Sequence, residues 1–284
     1  MPWTLRYTTH LGYAPPEFRP QFRETLGTTD PAAHIRYAAE IGMAGVFYPW
    51  ALGRPPAEIR LVRDVLAETG LSAGGVVCVP FAEFTGPIWT DRSIGGRKRL
   101  EAHVLQAAEL AASLGSGVLA ALIAVDPDRP DDQRQRDDVA ANLRDLGRVV
   151  ADYDLKLAVE PMVRLPNMMM RTTAEAVRLI TAADHPNLGI IYDTAHVAMM
   201  DGDLVGALRA AWDHIALIQI ADLPGRVEPG AGELAIVDVL AEATRSGYTG
   251  LVDLEHGWLS PTRDGEQAGL ARIRRFDDLV HSAL

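Results

Sequence analysis

Short apolar runs recur along this chain, each closed by turn residues and followed by a stretch with apolar residues at helical spacing. In the second half they occupy residues 156–160, 188–193, 215–219 and 251–255, and they are rich in Val, Ile and Leu. Runs of this kind read as strands of a parallel sheet buried on both faces. Residues 5–12, 45–50, 71–80 and 117–124 read the same way, with helical patterns at about 31–42, 56–69, 97–114 and 133–152 between and after them. The pattern predicts eight strands and eight helices. In 284 residues that fits a closed (β/α)8 barrel, a TIM barrel, as a single domain over 1–284 with no linker.

Punctuation supports this segmentation. Thr29, Asp30 and Pro31 supply a cap and a first-turn proline, Thr172, Thr173 and Glu175 open another helix, and Gly42, Gly70, Gly115 and Gly247 end theirs. The weakest stretch is 81–96, whose Gly, Pro, Thr and aromatic content predicts a long loop after the third strand, on the face where barrel loops surround an active site. Residues 129–136 read as a solvated surface turn and helix start.

The four later runs end in polar residues: Glu160, Asp193, Gln219 and Glu255, spaced by 33, 26 and 36 residues. Such spacings are about one strand, crossover and return, so all four fall at one rim. Three carboxylates brought together either stay partly protonated or share a cation. An all-oxygen set favours Mg²⁺ or Mn²⁺ over zinc. The plainer alternative is that each acid caps a helix or pairs with an arginine.

Composition narrows the classes. A net charge of −11 argues against a broad nucleic-acid surface. No run of about 18 apolar residues marks a membrane span, and the first residues lack a secretory pattern. The lone Cys78 excludes an internal disulfide, reads as a buried structural thiol and suits the cytoplasm.

The segments Glu160-Pro161 and 192–196, and above all the stretch from Gln219 through Asp222, Pro224, Gly225, Arg226, Glu228, Gly230 and Gly232 to Glu233, resemble the hydroxypyruvate isomerase branch of the xylose isomerase-like barrels. Superfamily similarity runs over nearly the whole chain, and the branch motifs lie between about 160 and 256. The resemblance implies one divalent ion, Mg²⁺ or Mn²⁺, on Glu160, Asp193, Gln219 and Glu255. Related ketose epimerases commonly carry His at the Gln219 position and a further glutamate six residues after Glu160, where this chain has Pro166. Two departures concern the front of the pocket: the second run ends at Trp50 where an acid is common, and 125–128 matches the family pattern poorly.

The expected chemistry is proton transfer between adjacent carbons of a small α-hydroxycarbonyl compound through an enediolate, with Glu160 and Glu255 as the catalytic carboxylates. Hydroxypyruvate to tartronate semialdehyde is the leading reaction. His196 is assigned to substrate binding. Arg226 is assigned to a substrate carboxylate, with an ion pair to Glu228 or Glu233 as its alternative. His10 and Trp50 fall at strand ends without an assigned role, Met168, Met169 and Met170 read as core filling, and His256 is expected to point away from Glu255. Sugar or inosose epimerases, isomerases or dehydratases use the same logic. A noncatalytic small-ligand barrel and a metal-dependent nuclease for abasic DNA are the readings from other classes. Self-association fits the resemblance, and no heptad or apolar strip marks an interface.

Overall fold

The computed structural model describes residues 2–13, 17–130, 132–163, 165 and 167–284. The expectation drawn at Pro166 falls outside them. The chain folds as a TIM barrel. Its strands are β1 (Arg6–His10), β2 (Gly45–Phe47), β3 (Ser72–Ala73), β4 (Val76–Val77), β5 (Val118–Ala121), β6 (Lys156–Val159), β7 (Leu188–Asp193), β8 (Ile215–Ile220) and β9 (Leu251–Leu254). All pair in parallel, in the order β3-β2-β1-β9-β8-β7-β6-β5-β4. Apart from the first residue or two of β1, β3, β5, β6, β8 and β9 they are buried, which is why the sequence shows apolar runs instead of alternation.

The predicted third strand, 71–80, is in fact two short pieces. β3 pairs with β2 and β4 with β5, and Gly74-Gly75 lies between them. The cause lies across the barrel. Asp253 points its carboxylate inward, where a Cβ on Gly74 would sit 2.4 Å from Oδ1. Thr8 Oγ1 donates to Oδ1 at 2.8 Å and Gly75 N to Oδ2 at 3.2 Å. Burial pushes the Asp253 carboxyl up to about 7, against the pull of these two donors.

The outer layer is α1 (Arg23–Leu26), α2 (Pro31–Glu40), α3 (Pro56–Thr69), α4 (Ile94–Ser113), α5 (Gln133–Ala151), α6 (Thr173–Ala183), α7 (Thr194–Met200), α8 (Leu204–Ala211), α9 (Ile236–Arg245) and α10 (Arg263–Ser282). The predicted caps are present: Asp30 accepts from Ala32 N and Ala33 N, and Thr172 accepts from Glu175 N. The count exceeds eight because α1 is one extra turn and the unit after β7 divides at Asp201–Asp203, where Asp203 caps a new helix by accepting from Gly206 N. The expected loop over 81–96 ends at Ser93, because Ser93 caps α4 by accepting from Gly96 N and the helix begins at Ile94; the loop carries one 3-10 turn at Pro87–Trp89 and the fully buried Trp89. Met168, Met169 and Met170 are all buried, as core filling requires, and Cys78 is fully buried.

Candidate active site

The strand order sets the site before any side chain is considered. β6, β7, β8 and β9 are neighbours, so residues at their C-terminal ends stand side by side. Glu160 follows β6, Asp193 ends β7, Gln219 lies in β8 in register with Asp193, and Glu255 follows β9. Glu255 N still donates to Ile220 O at 3.2 Å, which extends the ladder to this residue. Glu160, Gln219 and Glu255 line one cleft of about 270 Å³, together with His196 and Arg226. Asp193 lies beneath it, buried to 1% exposure. The predicted site residues therefore converge.

Asp193 does two jobs. Its Oδ1 accepts from Ala195 N at 2.8 Å and His196 N at 3.1 Å, capping α7, and its carboxylate also faces Arg226. Arg226 Nη2 stands 2.7 Å from Asp193 Oδ2 and 2.9 Å from Glu255 Oε1. The guanidinium thus bridges two acids of the cluster. Glu228, the alternative partner considered for it, is taken by Arg272 and by Leu259 N.

His196 belongs to the cluster as well as to the cleft wall. Its Nε2 is 3.7 Å from Glu160 Oε1, and ligand atoms of Glu160, Asp193 and His196 all lie within 4.8 Å of one another. This buried group can hold a metal ion. Gln219 Oε1 and Glu255 Oε2 are buried and accept no hydrogen bond from the described residues. Lone pairs left open in a buried, acid-rich cluster fit a cation. The histidine adds a nitrogen donor that the oxygen-only expectation did not include.

Charge in the cluster is finely divided. Burial raises the Glu160 pKa well above the usual carboxylate value, and Glu255 and Asp193 raise it further. Burial also lifts Glu255, to about 8, against the pull of Arg226. Asp193 is lifted by burial too, but Arg226 and His196 outweigh that and leave it below the usual value. One cation therefore holds one carboxylate firmly ionised and leaves the other two short of compensation.

The loop after β8 places Arg226. Asp222 accepts from Leu223 N and Leu234 N through Oδ1 at 2.9 Å, and from Gly230 N and Gly232 N through Oδ2 at 3.0 Å. A Cβ on Gly232 would meet Leu223 O at 2.3 Å and Asp222 Oδ1 at 2.5 Å, so this position requires glycine. Arg226 itself has φ 52, just after Gly225 at φ 95. The Leu223–Pro224 peptide is cis.

His10 and His256 stand behind the site, not in it. His10 Nε2 donates to His256 O at 3.0 Å, and Gly12 N donates to His10 Nδ1 at 3.2 Å. His256 Nδ1 donates to Gly257 O at 2.8 Å and its Nε2 accepts from Gln21 at 3.1 Å. Burial lowers both rings' pKa, to about 3 and about 4, so they are neutral spacers. His256 points away from Glu255, as the strand's alternation requires. Tyr13, Trp50, Phe81, Phe84 and Met162 are among the cleft residues that sequence reasoning left without a role. Trp50 at a strand end and the aromatics of 81–96 were the available signal.

This geometry defines a class, and comparison with known proteins agrees with it. The chain belongs to the xylose isomerase-like TIM barrel family, whose model matches residues 35–276. It is 27% identical over 253 residues to the hydroxypyruvate isomerase of Escherichia coli, covering 84% of this chain and 93% of that one. It is 26% identical to the 2-oxo-tetronate isomerase of Pectobacterium atrosepticum, covering 81% and 88%. Among solved structures, the 3-keto-D-glucoside 4-epimerase of Escherichia coli superposes with a TM-score of 0.75 at 23% identity over 96% of this chain and 100% of that one, a likeness of fold. Among the described residues, no helix is long and apolar enough to cross a membrane.

Proposed function

We propose that this protein is an isomerase of small α-hydroxycarbonyl compounds that moves a proton between adjacent carbons. The observation that carries the reading is that Glu160, Gln219 and Glu255 line one cleft, with Asp193 buried beneath it and joined to Glu255 through Arg226, and with buried lone pairs of Gln219 and Glu255 left open. Those four residues would hold one divalent ion, Mg²⁺ or Mn²⁺, with His196 close enough to Glu160 to join them or to meet a substrate oxygen. When bound, the ion supplies Lewis acidity toward a substrate carbonyl oxygen.

The chain's own groups do the rest. Glu160 and Glu255 flank Asp193 and Gln219 on the outer two of four adjacent strands. One of them takes the carbon-bound proton, and the same one or its counterpart returns it to the neighbouring carbon. The cleft's apolar half keeps bulk water from that proton. Arg226 pairs with Asp193 and Glu255, two of the carboxylates that would hold an ion, so with those acids committed to the ion its guanidinium would be available to a substrate oxygen.

Two similar isomerases act, by their names, on hydroxypyruvate and 2-oxo-tetronate. Hydroxypyruvate to tartronate semialdehyde is therefore the first reaction to assay, and sugar or inosose substrates come next on the same chemistry. The test is deuterium incorporation from D₂O into such compounds with Mn²⁺ or Mg²⁺. Glu255→Gln is expected to reduce the rate by about 10² to 10⁴. Equal rates in the variant would remove Glu255 from the chemistry, and silence across the whole class would remove the reading.

A further inference from the structure

The cleft is divided by chemistry. Glu160, His196, Gln219, Arg226 and Glu255 enter it from the β6–β9 side. The opposite side, built from β2, β4, β5 and the loops that follow them, presents Phe47, Trp50, Val77, Phe81, Phe84 and Leu122. Trp50 spends its polar atom inside the protein, where Nε1 donates to the Tyr13 carbonyl at 2.9 Å, so it offers the cleft only carbon. Its ring packs with those of Phe81 and Phe84 at centroid distances of 5.2 and 5.8 Å, and the two phenylalanines lie 5.3 Å apart. Phe81 at the mouth remains 47% exposed, a large aromatic surface left for a ligand to cover.

We propose that the site takes an α-hydroxyketone whose second substituent is an apolar ring, in place of a carboxylate or a hydroxylated chain. This rests on the isomerase reading above and names its substrate class. A hydroxylated chain laid across Phe47, Val77 and Leu122 would give up its water without gaining a partner from those three side chains. A carboxylate there would stand against hydrocarbon, because Arg226, whose guanidinium lines the described cleft, enters it from the other side. A flat ring meets neither cost and stacks on the aromatic trio. The hydroxyketone head then falls among the carboxylates. In the reaction a C–H bond of the carbinol carbon breaks to a carboxylate, a C–H bond forms at the former carbonyl carbon, and the hydroxyl proton passes to the neighbouring oxygen. The ketone becomes its isomeric hydroxyaldehyde with no oxidant and no leaving group.

Three compounds with the same hydroxymethyl ketone head separate the possibilities: hydroxymethyl phenyl ketone, hydroxypyruvate and D-fructose. Deuterium exchange into each is followed by NMR with the full chain and Mn²⁺ in D₂O, using Glu255→Gln as the blank. The phenyl ketone is expected to show a kcat/KM at least about tenfold above the other two. Phe81→Ala, which trims an exposed rim residue, should shrink that preference by about fivefold or more. A preference for hydroxypyruvate or fructose overturns the ring proposal and leaves the isomerase reading standing. A phenyl preference untouched by Phe81→Ala and by Phe84→Leu overturns the role of the aromatic wall. Exchange in none of the three overturns the isomerase reading, and the ring proposal falls with it.

Discussion

Arg226 is the residue on which the charge of the site turns. In this structure it is the cation shared by Asp193 and Glu255, and its pKa is raised by those acids against the cost of burying it. It therefore competes with any metal ion for the same oxygens while keeping the ion-free cluster stable. Arg226→Gln should separate the two effects. In metal-free buffer the variant is expected to lose about 3 kcal/mol of unfolding free energy, because a buried acid is left without its partner. Its affinity for Mn²⁺, measured by titration calorimetry, should rise by about tenfold as the competitor disappears. Weaker Mn²⁺ binding would mean that Arg226 supports the metal geometry. The sequence placed Arg226 in the right loop but could not name its partners. Spacing along a chain does not show where a left-handed residue turns its side chain. His196 was legible as a cleft residue, being three positions after Asp193. Its approach to Glu160 was not, because that contact joins the first turn of α7 to the residue after β6, in two different βα units.

At the level of elements, the strand ends were readable because each βα unit repeats the same local pattern, and parallel pairing turns equal position in the repeat into contact in space. Two features broke that logic. Gly74-Gly75 sits within an apolar run that reads as continuous, and only the inward carboxylate of Asp253, 178 residues away, explains the break. Asp222 looked like one polar residue in a family-like stretch, yet it gathers four backbone N–H groups and so shapes the loop carrying Arg226. An amide presents a single acceptor oxygen and turns a donor toward some of those N–H groups. Asp222→Asn is therefore expected to cost about 2–3 kcal/mol, since hydrogen bonds to a charged acceptor are worth about 1.5–3 kcal/mol each and part of the set survives. Urea unfolding reads the loss. Hydrogen exchange should place it in residues 222–234, and protection there equal to wild type would show that the glycines and prolines shape the loop without the carboxylate.

The whole molecule matters to the site because only the closed barrel assembles it. Residues 160, 193, 219 and 255 are far apart in sequence and meet through the β6-β7-β8-β9 neighbourhood, so an unfolded chain has no comparable set of ligands. An ion that binds the folded form alone stabilises it by about 2.7 kcal/mol at one hundred times its Kd. For a chain of this size that corresponds to a Tm rise of about 5 °C. Mn²⁺ should therefore raise the Tm of the wild-type protein in a saturating manner. Asp193→Asn and Glu255→Gln should blunt the rise, whereas Asp64→Asn, at an exposed pair with Arg63, should not. This control is needed because the chain carries a net charge of −11 and its surface acids attract divalent ions weakly wherever they cluster. Screening with about 0.15 M salt suppresses that diffuse attraction, which acts over about 8 Å in water, far more than binding in a buried cleft. A Tm rise that survives salt and disappears with Glu255 locates the ion at the strand ends; a rise equal in all three variants locates it on the surface.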